Sequence, residues 1–243
     1  MNYAPASECD NCDDGFTLTG NTCNNCATSL IEAVRSEYIE CVRQIIEQGI
    51  VNEQSFDVNE VESASGNTAL HEAVYSENSE IVRMLAGVDG IDLNPGGNRN
   101  GKDHGSPLYR AAYENLESMV LLLIELGADA NYHNERWGGG QTILRTVAHA
   151  GFTNLVQPLI DAGADVNKMN EDDHAPLMTA AATGRLDMVE ALLTNGADVS
   201  QINSSGNTAL DYGSTELVRQ SLTDAGTVCG PGKNISGTMC TTV

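Results

Sequence analysis

A pattern that recurs about every 33 residues limits the folds that this chain can adopt. Residues 174–210 show one complete unit, in which a stretch of small residues, a break at Gly184 and an apolar stripe from Leu186 to Leu193 lead to Gly196. Apolar residues at helical spacing predict two short helices, and Gly196 stands where a left-handed C-cap is needed. Two short helices bury too little surface alone, so the unit requires stacked neighbours.

The opening of this unit recurs along most of the chain. Related tetrads follow one another at spacings of 40, 38, 36, 33 and 33 residues, and they begin at Thr28, Thr68, Ser106, Thr142, Ala175 and Thr208. The pattern predicts an all-α solenoid of about six helix-turn-helix repeats over residues 27–226. Residues 1–26 form a Cys-rich N-terminal module, interpreted as a cap, and residues 227–243 form a polar C-terminal tail. The sixth repeat is truncated and is predicted to cap the other end.

These tetrads resemble the ankyrin repeat family, whose T-P-L-H-x-A signature is similar to Thr68-Ala69-Leu70-His71-Glu72-Ala73. The resemblance implies a scaffold that binds other proteins, but it identifies no partner, because ankyrin repeats differ in what they bind. It also implies that the residues around the paired alanines of each first helix face a concave groove. In the middle repeats this groove would contain Tyr75, Arg110, Tyr113 and His149. His71 is expected to have a structural role.

The first three intervals between repeats are longer than 33 residues. The excess falls in Val51–Ser65, Asn94–Gly105 and Tyr132–Gly140, which are predicted to be extended hairpin fingers along one edge of the solenoid. Insertions in repeat proteins map to one face, often the binding face. The second and third fingers bring basic and aromatic side chains to an acidic molecule, namely Arg99, Lys102, Arg136 and Trp137.

Three interpretations of these fingers remain open. A phosphate-binding loop lacks the G-x-x-x-x-G-K-[ST] order and its strand-to-helix context. A flexible, solvated loop needs no ligand. An anchor for a protein partner agrees with the prominence of Trp, Tyr and Arg in interface hot spots. On this last hypothesis the partner-binding residues are Tyr75, Arg99, Lys102, Arg110, Tyr113, Arg136, Trp137 and His149.

The charge is strongly unbalanced, with 12 Lys and Arg against 34 Asp and Glu and a net charge of −22. Nucleic acid and anionic membranes are therefore disfavoured as partners, since both are bound by clustered Lys and Arg. No apolar run is long enough to span a membrane, and no charged-then-apolar signal segment opens the chain. The alternative that a signal segment has been removed stays open.

The cysteines allow two interpretations of the N-terminal module. Cys9, Cys12, Cys23 and Cys26 form two C-x-x-C pairs with the spacing of a zinc ribbon. The same segment also resembles the C-x-x-C-x-x-G-[FY]-x-L pattern of extracellular Cys-rich repeats, which implies disulfides. Cys229 and Cys240 in the tail, with glycosylation sequons at Asn203 and Asn234, favour disulfides and an extracellular or cell-surface location. Zinc binding would instead favour the cytoplasm.

No catalytic motif or cofactor site emerges from the sequence. G-x-S-x-G and H-E-x-x-H are absent, and no cysteine has a plausible orienting histidine. The leading hypothesis is a non-enzymatic scaffold that holds a protein partner in the groove and fingers of repeats two to four. The alternative is a structural protein that assembles with copies of itself through its solenoid faces and Cys-rich ends.

Overall fold

The computed structural model describes residues 18–19, 22–23, 29–52, 57–96, 105–134, 140–226, 228–236 and 238–242. Twelve α-helices lie within these ranges, together with three two-stranded antiparallel sheets. The chain divides into two compact units, the first extending to Glu62 and including Asn67–Asp92, and the second formed by Ser63–Gly66 and Leu93–Val243.

The first unit contains two helix pairs and one short sheet. Its elements are β1 (Leu18–Thr19), β2 (Thr22–Cys23), α1 (Leu30–Arg35), α2 (Ile39–Asn52), α3 (Ala69–Tyr75) and α4 (Ser79–Ala86). Strand β1 pairs with β2, and helix α1 packs against α3 as well as α2. The side chain of Arg35 links two repeats here, because its guanidinium forms ion pairs with Glu62 at 2.9 Å and Glu72 at 3.0 Å.

The second unit continues the same arrangement through four further helix pairs. Its helices are α5 (Pro107–Tyr113), α6 (Glu117–Glu125), α7 (Ile143–Ala150), α8 (Val156–Asp161), α9 (Pro176–Thr183), α10 (Leu186–Thr194), α11 (Ala209–Tyr212) and α12 (Glu216–Asp224). Its strands are β3 (His133–Asn134), β4 (Gln141–Thr142), β5 (Lys233–Ser236) and β6 (Met239–Thr242). First helices stack on one another, since α7 packs against both α5 and α9, and α9 packs against α11.

The predicted tetrads mark the starts of the first helices. Ser106 and Thr142 are N-cap residues whose hydroxyls accept the backbone N–H of Tyr109 at 3.2 Å and of Arg145 at 3.1 Å. The arrangement at Thr68 differs, because the backbone N–H of Thr68 donates to Nδ1 of His71 at 3.2 Å. The His71 imidazole is fully buried. These bonds satisfy N–H groups that have no partner inside the helix. The expected structural role of His71 is thus a helix cap.

A ladder of asparagines joins the outer turns of successive repeats. The Asn131 side chain donates to the carbonyl of Gly163 at 2.7 Å and accepts the N–H of Asp165 at 2.8 Å. One repeat further on, Asn167 accepts the N–H of Asp198 at 2.7 Å. Each asparagine therefore bonds the turn of the next repeat, which fixes the distance between neighbours.

The second helix of the fourth repeat differs from the sequence-based expectation. Pro158 predicts a kink near Asn154, but residues Thr153–Leu155 form a 3₁₀ turn and α8 starts only at Val156. Pro158 consequently lies in the first turn of α8. Its missing N–H has no intrahelical acceptor at that position, so proline is tolerated.

The C-terminal tail forms a β-hairpin instead of a simple closed loop. Strands β5 and β6 pair over four residues each, and a disulfide links Cys229 to Cys240. The hairpin contacts the sixth repeat, because Thr208 Oγ1 donates to the Val228 carbonyl at 2.7 Å and Thr238 Oγ1 donates to Glu216 at 2.6 Å. We call the sixth repeat and this hairpin, residues 208–242, the C-terminal cap.

Asp211 is the polar centre of the C-terminal cap. Its side chain is 6% exposed and forms an ion pair with Lys233 Nζ at 2.7 Å. Its other oxygen accepts the backbone N–H groups of Thr208 at 2.8 Å and Gly230 at 3.0 Å. Burial alone would raise the pKa of Asp211, but the hydrogen bonds from Lys233, Thr208 and Gly230 outweigh it and lower that pKa. The carboxylate therefore holds helix α11 and the hairpin together.

Candidate functional site

Two of the predicted groove residues line one open pocket between the third and fourth repeats. The pocket has a volume of about 420 Å³ and contains Tyr113 from α5 and His149 from α7. The other lining residues are Tyr109, Gln141, Arg145, Thr146, Ala150 and Phe152. We call this cavity the repeat 3–4 pocket.

The rim of the pocket on α5 is aromatic and basic. Tyr113, the last residue of α5, is 52% exposed. The guanidinium carbon of Arg110 lies 5.6 Å from the centre of the Tyr113 ring, which is a cation–π distance. The same guanidinium forms an ion pair with Glu114 at 2.5 Å. Arg110 therefore supports the position of Tyr113 and is itself held in place.

The base of the pocket is fixed by a buried hydrogen bond between α5 and α7. Thr146 Oγ1 donates to the Tyr109 hydroxyl at 3.0 Å. Gly105 permits the packing of Tyr109, because it has a φ of +73° and a Cβ there would lie 2.5 Å from the ring. The hydrogen bond from Thr146 and the space beside Gly105 therefore hold the Tyr109 side chain in one orientation.

The opposite wall is held by the following repeat. Arg185 Nε donates to the backbone carbonyl of His149 at 3.1 Å. The Arg185 side chain also lies against Gly151, which has a φ of +84° and ends α7 in the left-handed region. The imidazole of His149 is exposed beside these groups. The fifth repeat therefore positions a groove residue of the fourth.

Arg145 lines the pocket, although it is not among the site residues predicted from the sequence. Its Nη1 donates to Gln141 Oε1, and its Nε is buried without a hydrogen-bond partner among the described residues. Burial lowers the pKa of Arg145, while the charge of Asp172 acts in the opposite direction. Asp172 forms no ion pair with Arg145 within the described part of the chain. A partly buried cation without an ion-pair partner among the described residues thus lines the pocket.

The sequence did contain a signal for Arg145. It occupies the fourth position of its tetrad, and the equivalent side chains elsewhere are buried, namely Ile31, His71, Tyr109, Met178 and Asp211. An arginine at a position that is otherwise buried needs a special environment. Comparison of equivalent positions across the repeats would have singled it out.

The third finger begins and ends beside the pocket. Strands β3 and β4 pair antiparallel in the register His133↔Thr142 and Asn134↔Gln141. Because Gln141 also lines the pocket, the base of this finger and the groove meet there. The hairpin form predicted for this finger is present at its base.

Comparisons with known proteins agree with the helix-pair architecture. A family model described as ankyrin repeats (3 copies) matches residues 8–97, 54–134, 108–203 and 143–224. These overlapping matches cover well over half of the chain. The chain belongs to the ankyrin repeat family.

Solved ankyrin repeat domains have the same fold. The ankyrin repeat domain of Bcl-3, described as a unique member of the IkappaB protein family, superposes with a TM-score of 0.72 at 23% identity, over 83% of this chain and 87% of that one. An ankyrin repeat domain from Acinetobacter baumannii AYE gives a TM-score of 0.67 at 26% identity, over 82% of this chain and 97% of that one. The ankyrin solenoid fold expected from the tetrads is confirmed.

Curated relatives share part of the ankyrin region. The B-cell lymphoma 3 protein homolog of Mus musculus is 34% identical over 125 residues, which are 50% of this chain and 25% of that protein. Alpha-latroinsectotoxin-Lt1a of Latrodectus tredecimguttatus is 32% identical over 123 residues, which are 50% of this chain and 8% of that protein. The matches therefore span a quarter or less of these relatives.

The remaining predicted site residues are not brought to the pocket by the described structure. Tyr75 lies at the end of α3 in the first unit and is 36% exposed. Arg99, Lys102, Arg136 and Trp137 lie outside the described residues. The place of Tyr75 in the groove and of the other four residues on the fingers stays a prediction.

The same holds for the N-terminal cysteines. Cys9, Cys12 and Cys26 lie outside the described residues, and only the backbone of Cys23 is described, in β2. Both the zinc and the disulfide interpretation of this module stay open. Cys41, at a packing position of α2, is buried.

In the ranges that the structure describes, no group of three His, Cys, Asp or Glu side chains could hold a metal ion. Likewise, none of the described helices combines the length and the apolar character that crossing a membrane requires.

Proposed function

We propose that this ankyrin repeat protein is a non-enzymatic scaffold that holds a segment of a partner protein in the groove of repeats two to four. The observation that carries the proposal is the repeat 3–4 pocket, where the exposed Tyr113 and His149 stand on two stacked first helices. Exposed aromatic side chains next to arginine are typical of interface hot spots. Ankyrin repeats generally mediate interactions between proteins, which supports the same conclusion.

The distribution of charge favours this part of the molecule as the interface. Seven of the 12 Lys and Arg residues lie between positions 99 and 185, with 11 of the 34 Asp and Glu residues. The other five Lys and Arg residues share the rest of the chain with 23 Asp and Glu residues. A mixed or acidic partner is therefore repelled least at the middle repeats, which favours specificity.

The long fingers extend the proposed surface. Arg136 and Trp137 belong to the third finger, whose base at Gln141 lines the pocket. We propose that Trp137 is an anchor and that Arg99, Lys102 and Tyr75 add contacts along the groove. The Trp137→Ala variant is expected to bind the partner about 30-fold more weakly, which corresponds to about 2 kcal/mol.

Capture of the natural partner tests the proposal. The partner is first identified with the wild-type chain, and its affinity is then measured by calorimetry for Tyr113→Ala and for Tyr113→Ala/His149→Ala. We expect losses of about tenfold and about 30-fold, because both side chains contact the partner. Tyr38→Ala serves as the matched control, since Tyr38 is similarly exposed, at 41%, but lies in the turn before α2.

Equal affinity of the wild type and the double variant would contradict the proposal. Circular dichroism establishes that each variant keeps its helices, so a loss of binding cannot be assigned to unfolding. If Tyr38→Ala lowers affinity as much as Tyr113→Ala, the interface lies elsewhere.

Self-assembly is the second candidate function, and exposed apolar groups on the C-terminal cap favour it. Leu217 is 67% exposed and Met239 is 54% exposed. They directly follow Glu216 and Thr238, whose side chains are hydrogen-bonded to each other, so the two apolar groups belong to neighbouring segments. The sequence alone suggested instead that Leu217 covers the fifth repeat.

Light scattering distinguishes the two candidate functions. A binding scaffold remains monomeric at micromolar concentration, whereas an assembling protein increases in mass with concentration. If assembly occurs through the cap, Leu217→Lys is expected to abolish the growth in mass, because a charge then faces the apolar contact. A monomer at every concentration contradicts this candidate.

For the N-terminal module we propose two disulfides among Cys9, Cys12, Cys23 and Cys26, and an extracellular or cell-surface location. The support is the Cys-rich pattern, together with the Cys229–Cys240 disulfide of the tail. Intact mass before and after reduction should differ by six hydrogen atoms in all, two for each of the three disulfides, counting the one in the tail. Stoichiometric zinc with free N-terminal thiols contradicts the proposal and favours the cytoplasm.

A further inference from the structure

Arg145 gives the repeat 3–4 pocket a specific chemical requirement. A guanidinium has five N–H donors and cannot lose its charge in a protein, so its burial requires acceptors. Within the described residues, Arg145 bonds only the neutral side-chain oxygen of Gln141, and it forms no ion pair. Its Nε–H has no partner there. The pocket therefore contains unused donor capacity next to an open volume of about 420 Å³.

The other walls of the pocket suit an aliphatic stem. Tyr109, Tyr113 and Phe152 line the same pocket as Arg145 with aromatic side chains. A glutamate or aspartate side chain has methylene groups that pack on such rings and a planar carboxylate that can accept two parallel N–H groups from one arginine. The residues that line the pocket thus match such a side chain in polarity.

We infer that the repeat 3–4 pocket binds the carboxylate of a glutamate or aspartate side chain in an extended acidic segment of the partner protein, with Arg145 as its counter-ion. The inference rests on the proposed function and specifies the chemistry of the bound segment. Arg145 is the residue that would determine which partner segments are accepted.

The charges around the pocket favour a ligand group with one negative charge over a group with two. Arg110 is already paired with Glu114, while Glu171 lies against Gly140 and Asp172 acts electrostatically on Arg145. Among the described residues that line the pocket, the charged cation is therefore Arg145. A phosphate dianion would meet uncompensated repulsion from these acidic groups and from the net charge of −22. A single carboxylate would neutralise Arg145 without adding excess charge.

The test is a selection of phage-displayed random 16-residue peptides on the full chain. We expect enriched peptides to share an Asp or Glu at one position and to be lost on Tyr113→Ala. Changing that acid to Gln or Asn in a synthetic peptide should lower the affinity for the wild type about tenfold, as for a charge-assisted hydrogen bond. The same change should lower the affinity for Arg145→Gln less than about twofold, because the counter-ion is gone.

Two variants control for general effects of charge and folding. Arg83→Gln removes one positive charge from α4, outside the pocket, and should retain the full preference for the acidic peptide. Arg145→Lys keeps the charge but loses the planar fork, and should retain part of the preference. Circular dichroism and the thermal midpoint report whether the Arg145 variants are folded.

Several results would overturn the inference. One is that changing the acid of the peptide to Gln or Asn lowers its affinity for Arg145→Gln and for the wild type by the same factor. Another is tighter binding of a phosphoserine peptide than of the glutamate peptide. Peptides without a shared acid, or no enriched peptide at all, also count against it. If binding is lost on Tyr113→Ala but does not depend on a carboxylate, the inference fails while the proposed function stands; insensitivity to both substitutions contradicts both.

Discussion

Replacing Asp211 with alanine is expected to open the C-terminal cap, with a loss of about 3 kcal/mol in its local opening free energy. The substitution removes the ion pair with Lys233 and the acceptor for the N–H groups of Thr208 and Gly230. The substitution leaves Lys233 without its carboxylate partner, but the ammonium group can turn towards water. The expected loss of free energy is therefore at the lower end of the range for breaking a buried ion pair. Native-state hydrogen exchange of amides in α12, β5 and β6 measures it.

Asp224→Ala is the matched control for this variant. Asp224 is an exposed carboxylate at the end of α12, where it accepts a hydrogen bond from Gln220 at 2.7 Å. The Asp224→Ala substitution should change the free energy of opening of the C-terminal cap by less than about 0.5 kcal/mol, as for surface substitutions in general. Equal effects of the two substitutions would contradict the role assigned to Asp211.

The effect of Asp211 should also depend on pH. Its pKa is lower in the folded chain than the ordinary value of about 3.9, so its stabilising contribution is present above that value. The contribution is lost as the pH falls through the folded pKa. The difference between wild type and Asp211→Ala should therefore shrink below about pH 4. A difference that stays constant down to pH 2 would show that the carboxylate charge is not responsible.

The second large effect concerns two leucines of one helix. Leu123→Ala is expected to lower the free energy of unfolding by about 3 kcal/mol, because deleting a buried leucine side chain leaves a cavity. Leu123 in α6 is fully buried. Leu121→Ala removes the same atoms two residues earlier, where the side chain is 46% exposed, and should cost less than about 1 kcal/mol.

Urea denaturation of both leucine variants measures this difference, with far-UV circular dichroism as the probe. The comparison isolates burial, since both substitutions shorten the same residue type to alanine in the same helix. Similar losses for the two variants would contradict the orientation of α6.

The repeat architecture could be predicted because the same sequence pattern of helix starts and helix ends recurs along the chain. Thr142 and Ser106 begin their helices as N-caps, and Gly184 and Gly196 lie in the left-handed region where the pattern required helix ends. Local rules of this kind depend only on neighbouring residues, so the sequence contains them.

Features that depend on contacts between distant segments could not be predicted in the same way. Three consecutive apolar residues cannot share one helix face, so one residue of the run Leu121–Leu123 must face outwards. The sequence does not indicate that this residue is Leu121. The docking of the hairpin depends on Asp211 meeting Gly230 and Lys233, which are about 20 residues away along the chain. Nothing in the polar tail itself indicates that surface.

The residues of the repeat 3–4 pocket could be predicted only in part. Tyr113 and His149 line this pocket, and their role in binding a partner stays a prediction. Arg145 was missed because its burial follows from the packing of α7 against both α5 and α9, and not from the residues next to it. A charged residue at one core-like position becomes informative only when all repeats are aligned.

We expect the partner to occupy the groove of the middle repeats, and hydrogen exchange of the complex shows whether it does. The partner recovered by capture is added in saturating amount, and amide exchange is compared for the free and the bound chain. We expect slower exchange in residues 107–113 and 141–150, which carry Tyr113, Arg145 and His149, with α12 and the C-terminal hairpin unchanged. Protection confined to residues 216–242 or to the Cys-rich N-terminal module, with α5 and α7 unchanged, would contradict it.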